Sequence, residues 1–309
     1  MNSLPLIVIS GPTASGKTNL AIDTALEFNA EIISADSRQI YRQMEIGTAS
    51  PTQAELNLVP HHFIGIFDPD IHYSAGEFGN ECRKCIDDIR KRGKNIIICG
   101  GSGMYIQAIF GMIYEGEKIN STLRNKIQKE GNDLSWQEMY KRLDHIDPDY
   151  CNKISENDIK RISRGWEIYH SSGNIPSKAW KLHSRNYNPK RIEIGLSPEK
   201  YYLLERINIR VDQMIKNGFI SECQSLVKTY PVDLNSLNTV GYKELISYLN
   251  NEITLNEAID WIKIHTRQFA KRQRTWFRRY PAHHSIEYNN DKELQSLKMH
   301  TLSYIKQSI

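Results

Sequence analysis

The chain has 309 residues, 39% of them hydrophobic and 25% charged, with a formal net charge of +4, an ordinary balance for a globular protein larger than one small domain. No apolar run approaches the roughly 20 residues that cross a bilayer, and "MNSLPLIVIS" lacks a basic start or a small-residue cleavage site, so no membrane partner and a cytoplasmic location are expected. Five scattered cysteines exclude a disulfide scaffold, and Cys82 and Cys85 have no second pair or His partner nearby, so they read as two thiols on a helix rather than as zinc ligands.

In chain order, Leu6 to Ser10 is a short Ile/Val run, "GPTASGKT" a glycine loop, and "TNLAIDTALEF" a helical pattern. "AEIISADS" predicts a second buried strand ending at Asp36. "YSAGEFGNECRKCIDDIRKRGK" predicts a helix from a Ser74 cap to about Arg92, and "NIIICGGSG" a further strand ending in Gly100 and Gly101. Apolar strands alternating with helices imply an α/β fold, a parallel sheet covered on both faces. From Tyr114 the strand signal disappears. "STLRNKIQKEG", "SWQEMYKRLDHI" and "NDIKRISRGWEIYHSSG" read as an inserted helical module over 114–183, between core segments 1–113 and 184–309. "RIEIGLS" returns the chain to the sheet, and long helical patterns follow over Lys200–Asn217 and from Leu255 to about Arg279.

Gly11-Pro12-Thr13-Ala14-Ser15-Gly16-Lys17-Thr18, after a strand and before a helix, is a P-loop in its confirming context. Loop amides and the positive helix end hold phosphate oxygens, Lys17 supplies a mobile cation, and the Thr18 hydroxyl can ligate Mg²⁺. The motif recognises a di- or triphosphate, not a base. A nucleotide hydrolase adds an acid at the end of a later strand to hold metal and position water, and "NIIICGGSG" has none. The carboxylate at a strand end is Asp36, which reads either as a general base or metal ligand, or as a cap of the following turn. Ser102, in the second glycine turn, either offers a hydroxyl to the site or serves the turn. His61 and His62 read as packed loop histidines or as catalytic groups.

"WIKIHTRQFAKRQRTWFRRY" carries seven Lys or Arg and no acid. At helical spacing Arg267, Lys271, Arg274 and Arg278 form a stripe opposite Ile262, Phe269 and Trp276, a pattern suited to packing one face and offering the other to nucleic acid, or else a solvated basic face. Lys160, Arg161 and Arg164 form a second basic set. Arg206 and Arg210 share a helix face, where an arginine can clamp phosphate or pair with a helix neighbour.

Together "GPTASGKT", "DSRQIYRQMEIGTA", "PHHFIGIFDP", "GGSGMYIQA", "RVDQMIKNGF", "VGYKE" and "TRQFAKRQRTWFR" resemble the bacterial tRNA dimethylallyltransferases, also called tRNA isopentenyltransferases, from Gly11 to Arg278. The resemblance implies a core like that of the P-loop nucleoside triphosphate hydrolases. It implies transfer of dimethylallyl from its diphosphate to N6 of the adenosine beside the anticodon, in tRNAs reading codons that begin with U, with Mg²⁺ as cofactor. It also implies a monomer acting on the tRNA anticodon stem-loop. By resemblance, Asp36 is the base, Lys17 and Arg210 neutralise the leaving diphosphate, and Ser102 stands near the adenosine. The tRNA contacts implied are Asp36, Ser37, Arg38, Gln39, Ser102 and Arg124; Lys160, Arg161, Ile162, Ser163 and Arg164; Val240, Gly241, Tyr242 and Lys243; and Lys271, Arg272, Gln273, Arg274 and Arg278. The chain departs from the family pattern at Ser102, where Thr is commoner, at Ser50, at Ile159, and at Gly165-Trp166, where Gly165 lowers helix propensity by up to about 1 kcal/mol against Ala. The competing readings are a small-molecule or nucleotide kinase, which explains the P-loop and leaves the basic stripe idle, and a nucleic-acid-binding protein using nucleotide only structurally.

Overall fold

A computed structural model describes residues 5–116, 119–183 and 187–308. They form two compact units: Phe110–Tyr187, and the segments Met1–Ile109 and Asn188–Ile309 on either side of it. The sequence boundary drawn at 184 lies outside the described residues.

The larger unit is built on a six-stranded sheet of β1 (Leu6–Ser10), β2 (Ala30–Ser34), β3 (His61–His62), β4 (Asn95–Gly100), β5 (Arg191–Pro198) and β6 (His284–Tyr288). Every pairing is parallel, in the order β3-β2-β4-β1-β5-β6. β1 lies between β4 and β5, with Ile9 opposite Cys99 on one side and Ile194 on the other. Every residue of β1 and β2 is buried, as strands covered on both faces require, whereas β5 alternates. The helix Lys17–Glu27 packs Leu20, Ala21 and Ala25 against Ile7, Ile9 and Ile32 in the main core. The helix Ala75–Lys91 starts where the sequence placed it, with Ser74 and Glu77 forming a reciprocal capping box. Cys82 is buried on that helix, and burial pushes its thiol up.

β2 ends at Ser34, two residues short of the expected Asp36, although Ala35 N still donates to Cys99 O at 2.8 Å. The two edge strands have no periodic signal of their own in the sequence. β3 is two residues long, and β6 comes from "HSIEY" between polar turns. The final helix, Asp291–Ser308, also lacked a sequence signal; it docks by Leu294 and Ile305 in the main core and by ion pairs from Lys298 to Asp23 (2.6 Å) and Lys306 to Glu27.

The helical unit contains Ser121–Leu134, Trp136–Ile146, Pro148–Cys151, Ile159–Ser172 and Pro176–His183 around Ile127, Met139, Leu143, Tyr150, Ile162 and Trp166. Gly165 has a packing reason that outweighs its poor propensity. A Cβ there would stand 2.6 Å from Leu143 Cδ2 and 2.8 Å from Tyr150 Cε1, so its absence lets the helices approach.

Candidate active site

The P-loop leaves β1 at Ser10 and enters the helix at Lys17, with Gly16 at φ +80° and Ala14 at φ +62°, the latter a strained left-handed conformation for a residue with a side chain. Several distant residues hold this shape. Arg206 Nε donates to Ala14 O (2.8 Å), the Tyr288 hydroxyl donates to Ser15 O, and Thr13 N donates to Gln273 Oε1 (2.8 Å). Ala14 packs with Leu203, Ile207 and Ala270. The Thr13 amide is therefore not a phosphate donor, and Ser15 N is turned to Pro12 O (3.3 Å). The amides of Ala14, Gly16, Lys17 and Thr18 donate to no protein acceptor among the described residues, which leaves them for an anion. The buried Ser15 Oγ also has no partner among the described residues. Lys17 Nζ rests on Pro12 O at 3.3 Å.

Asp36 follows β2 at the carboxyl edge of the sheet. One carboxylate oxygen, Oδ1, accepts from Arg38 N at 2.9 Å, so the turn-capping reading describes one oxygen and leaves the other for chemistry. Ser102 brackets this residue: its N–H donates to Ala35 O (3.2 Å), and its hydroxyl accepts from Ser37 N (3.2 Å). Gly100 is what lets β4 come this near, since a Cβ there would lie 2.1 Å from Ala35 O. A cleft lined by Lys17, Thr18, Ser34, Asp36, Gln39 and Cys99 joins the loop to this turn, with His61 and Gly100 also on its wall. His61 Nδ1 is 2.8 Å from Val59 O, and its buried Nε2 has no partner among the described residues; burial lowers its pKa. His62 instead bonds Glu31 Oε2 at 2.6 Å, a packing role.

Charge ties the cleft together. Burial lowers the Lys17 amine below its ordinary value; Arg210 adds to this, while Cys99 and Asp36 oppose it. Burial likewise lowers Arg210, with Asp36 opposing and Arg206 adding. Arg210 makes no ion pair with a helix neighbour among the described residues, so the two cations share Asp36 as their near anion and lack a second one. Such a site is poised to take up a polyanion. Burial pushes the Cys99 thiol up to about 11, so it stays neutral beside Lys17.

Gln39 is held by Ser34 Oγ at 2.9 Å and donates to Ala49 O at 3.2 Å, and Arg38 reaches Asn235 O at 2.9 Å. The segment after Asp36 is anchored by half-buried Glu222, which accepts from Ile46 N (2.7 Å), Gly47 N (2.9 Å) and the Tyr242 hydroxyl (2.7 Å). Tyr242 is fully buried, so this residue of "VGYKE" supports the segment from inside, beside half-buried Val240 and buried Gly241, while Lys243 is exposed. The basic helix is Leu255–Arg279. Lys271, Arg272 and Arg278 are exposed, Arg274 is half-buried, and Arg267 is bonded to Asn208 Oδ1 (2.6 Å). Phe269, expected on the packed side, is instead 39% exposed beneath Arg272, and the buried face is Ala258, Ile262, Ala270 and Gln273. In the helical unit, Lys160 is exposed, Arg161 meets Asp158 at 3.4 Å, and Arg124 and Arg164 both bond buried Glu167. Ile162 is fully buried and Ser163 is bonded by Gln128, so both side chains face the unit's own core.

The IPP transferase family model matches residues 39–280. The chain belongs to the IPP transferase family. Among its relatives is the tRNA dimethylallyltransferase of Thermoanaerobacter sp. (strain X514), 41% identical and covering 98% of both chains. Among solved structures, the tRNA delta(2)-isopentenylpyrophosphate transferase of Staphylococcus epidermidis superposes with a TM-score of 0.70 at 35% identity, covering 99% of this chain and 100% of its own. A eukaryotic dimethylallyltransferase acting on tRNA gives a TM-score of 0.81 at 28% identity, over 93% of this chain and 75% of its own. The family model begins after the P-loop and Asp36, whereas the Thermoanaerobacter relative, covering 98% of the chain, extends over both. Family membership therefore agrees with the motifs, while the roles of Arg206, Tyr288 and Gln273 on the phosphate loop come from the geometry. The sequence offered one clue to them, the four-residue spacing of Arg206 and Arg210.

Proposed function

We propose that this chain transfers a dimethylallyl group from dimethylallyl diphosphate to N6 of the adenosine beside the anticodon in tRNAs that read codons beginning with U. The observation that carries the reading is the pairing of a polyanion cradle with a lone carboxylate: Asp36 lies in the cleft with Lys17, and the β4 end that would supply a water-positioning acid is Gly100-Gly101. In that site the diphosphate rests on the amides of Ala14, Gly16, Lys17 and Thr18, with Lys17 and Arg210 balancing its charge. Adenine N6 attacks C1 of the dimethylallyl group, the C1–O bond breaks with its electron pair leaving on diphosphate, and the N6 proton passes to the Asp36 carboxylate. Ser102 fixes that carboxylate through the residues on either side of it. The target base leaves its stack to reach Asp36, which an anticodon loop permits at low cost.

The Thr18 hydroxyl lines the cleft and has no protein partner among the described residues, a donor that fits Mg²⁺ held mainly by phosphate oxygens and water. When bound there, Mg²⁺ would neutralise charge on the leaving diphosphate. The exposed Lys271, Arg272 and Arg278, with Lys160 of the helical unit, are the proposed phosphate contacts to tRNA. The protein is proposed to act in the cytoplasm as a monomer.

The test is transfer from dimethylallyl diphosphate to an anticodon stem-loop RNA in the presence of Mg²⁺, read by nucleoside mass. Asp36→Ala is expected to lose at least about 100-fold in turnover with the fold intact. Undiminished turnover by that variant removes Asp36 from the mechanism, and ATP consumption without RNA or isoprenoid product points to a kinase.

A further inference from the structure

The helix Leu255–Arg279 has one residue whose burial contradicts its surroundings. Gln273 sits in sequence among exposed Lys271 and Arg272 and half-buried Arg274, yet it is only 7% exposed. Both ends of its amide are satisfied by backbone far away in the chain. Oε1 accepts from Thr13 N at 2.8 Å, and Nε2 donates to Gly101 O at 3.0 Å. The first bond reaches the phosphate loop. The second reaches the turn after β4, one residue before the Ser102 that brackets Asp36. Gly101 is shaped for this contact, because a Cβ there would stand 2.4 Å from Gln273 Nε2. Two residues further, a Cβ at Gly103 would stand 1.9 Å from Trp276 Nε1 of the same helix. The helix is thus seated on both glycine turns of the site.

We propose that Gln273 is a positioning residue rather than an RNA contact. It sets the phosphate loop in register with the Asp36 turn, and it passes engagement of RNA on the exposed face of its helix to the diphosphate cradle on the buried face. Pinning Thr13 N–H outward removes one amide from the phosphate side and leaves the loop a single shape, which the strained φ of Ala14 needs. The RNA half of the proposal rests on the tRNA reading above, and the diphosphate half does not. Coupling of this kind is reciprocal: RNA must tighten diphosphate by the factor by which diphosphate tightens RNA.

The experiment is calorimetric titration of inorganic diphosphate with Mg²⁺ into the full chain, alone and with an anticodon stem-loop RNA, for the parent, Gln273→Met and Gln273→Glu. Methionine keeps the volume and removes both bonds. Glutamate keeps the acceptor for Thr13 N but sets a carboxylate oxygen against Gly101 O. Loss of two bonds is expected to weaken diphosphate binding about tenfold or more in Gln273→Met, and at least as much in Gln273→Glu, whose buried charge faces Gly101 O and repels the anion. In turnover the loss falls on KM for the isoprenoid diphosphate more than on kcat. RNA affinity without diphosphate, and its salt dependence, stay at the parent value, and the mutual tightening disappears. If Gln273→Met does not fold, Gln273→Glu gives the same readouts. Weakened RNA binding with parental diphosphate affinity overturns the proposal, as does no change in either. Failure of the parent to prenylate RNA strikes the proposed function alone, because diphosphate affinity is read without any transfer.

Discussion

Replacing Gly100 by alanine separates the role of the β4 end in folding from its role in the site. The added Cβ would stand 2.1 Å from Ala35 O and 2.5 Å from Ala35 C, both backbone atoms of the adjoining chain, so no side-chain rotation relieves the overlap. Ordinary contact requires Ala35 to retreat by about 1 Å. Overpacking of this size costs about 1–3 kcal/mol, and the lower unfolded-state entropy of alanine returns about 0.4–1 kcal/mol. The net loss of about 1–2 kcal/mol lowers Tm by a few degrees in a chain of this size. Turnover falls much further. Asp36 is the next residue, the Ser102 N bond to Ala35 O stretches with it, and a displacement of about 1 Å at a reacting group costs about 100-fold. Gly93→Ala is the control, since Gly93 has φ +70° with nothing within 4 Å of its Cβ position. It costs about 1–2 kcal/mol in backbone strain and leaves turnover untouched. Thermal melting and single-turnover transfer measured side by side decide the matter. If Gly100→Ala loses only as much turnover as Gly93→Ala, the placement of Asp36 by Gly100 is refuted.

Glu31 supplies a pH test. Burial would raise its carboxyl, but bonds from Arg92 and then His62, each with a contact at 2.6 Å, outweigh this and hold it below the ordinary value. A lowered carboxyl stabilises the fold above its unfolded pKa of about 4.3, and that contribution is lost as pH falls through the lower folded value. Glu31→Gln is therefore expected to cost about 1–3 kcal/mol by urea unfolding near neutral pH and progressively less below about pH 4; a constant gap contradicts the pairing. Lys271→Ala and Arg278→Ala should each weaken stem-loop RNA binding and make the slope of log K against log salt shallower by about 0.7–0.9, and an unchanged slope removes that residue from the phosphate contacts.

The parts of the fold that were readable from sequence are those whose signal is local. β1, β2 and β4 are Ile-rich runs, β2 with Glu31 inside it, Ser74 and Glu77 write a helix start in three residues of spacing, and "GPTASGKT" between a strand and a helix specifies its own conformation. The edge strands were missed because His61–His62 and "HSIEY" owe their state to the strand beside them, Ile32–Ile33 and Ile194–Pro198, and not to periodicity. In the site, Asp36 and Lys17 stood out by chemistry. Gln273 and Tyr242 did not, since a glutamine in a basic run and a tyrosine at the start of the helix Tyr242–Leu249 look exposed until the fold turns them inward. Phe269 misled for the opposite reason: helical spacing sets a direction, but Arg272 covers that ring on the outer side where a packed neighbour was expected.

The support of the phosphate loop has a consequence for synthesis. Residues 11–18 are translated long before the groups that hold them, Arg206, Gln273 and Tyr288. The flanking strand β5 also arrives late, after the whole helical unit. A nascent or prematurely terminated chain can carry the complete phosphate-binding motif and the proposed catalytic carboxylate without a loop shaped to hold a ligand. Activity is thereby reserved for finished molecules, and grafting the first hundred residues onto another scaffold would transplant a motif without its grip.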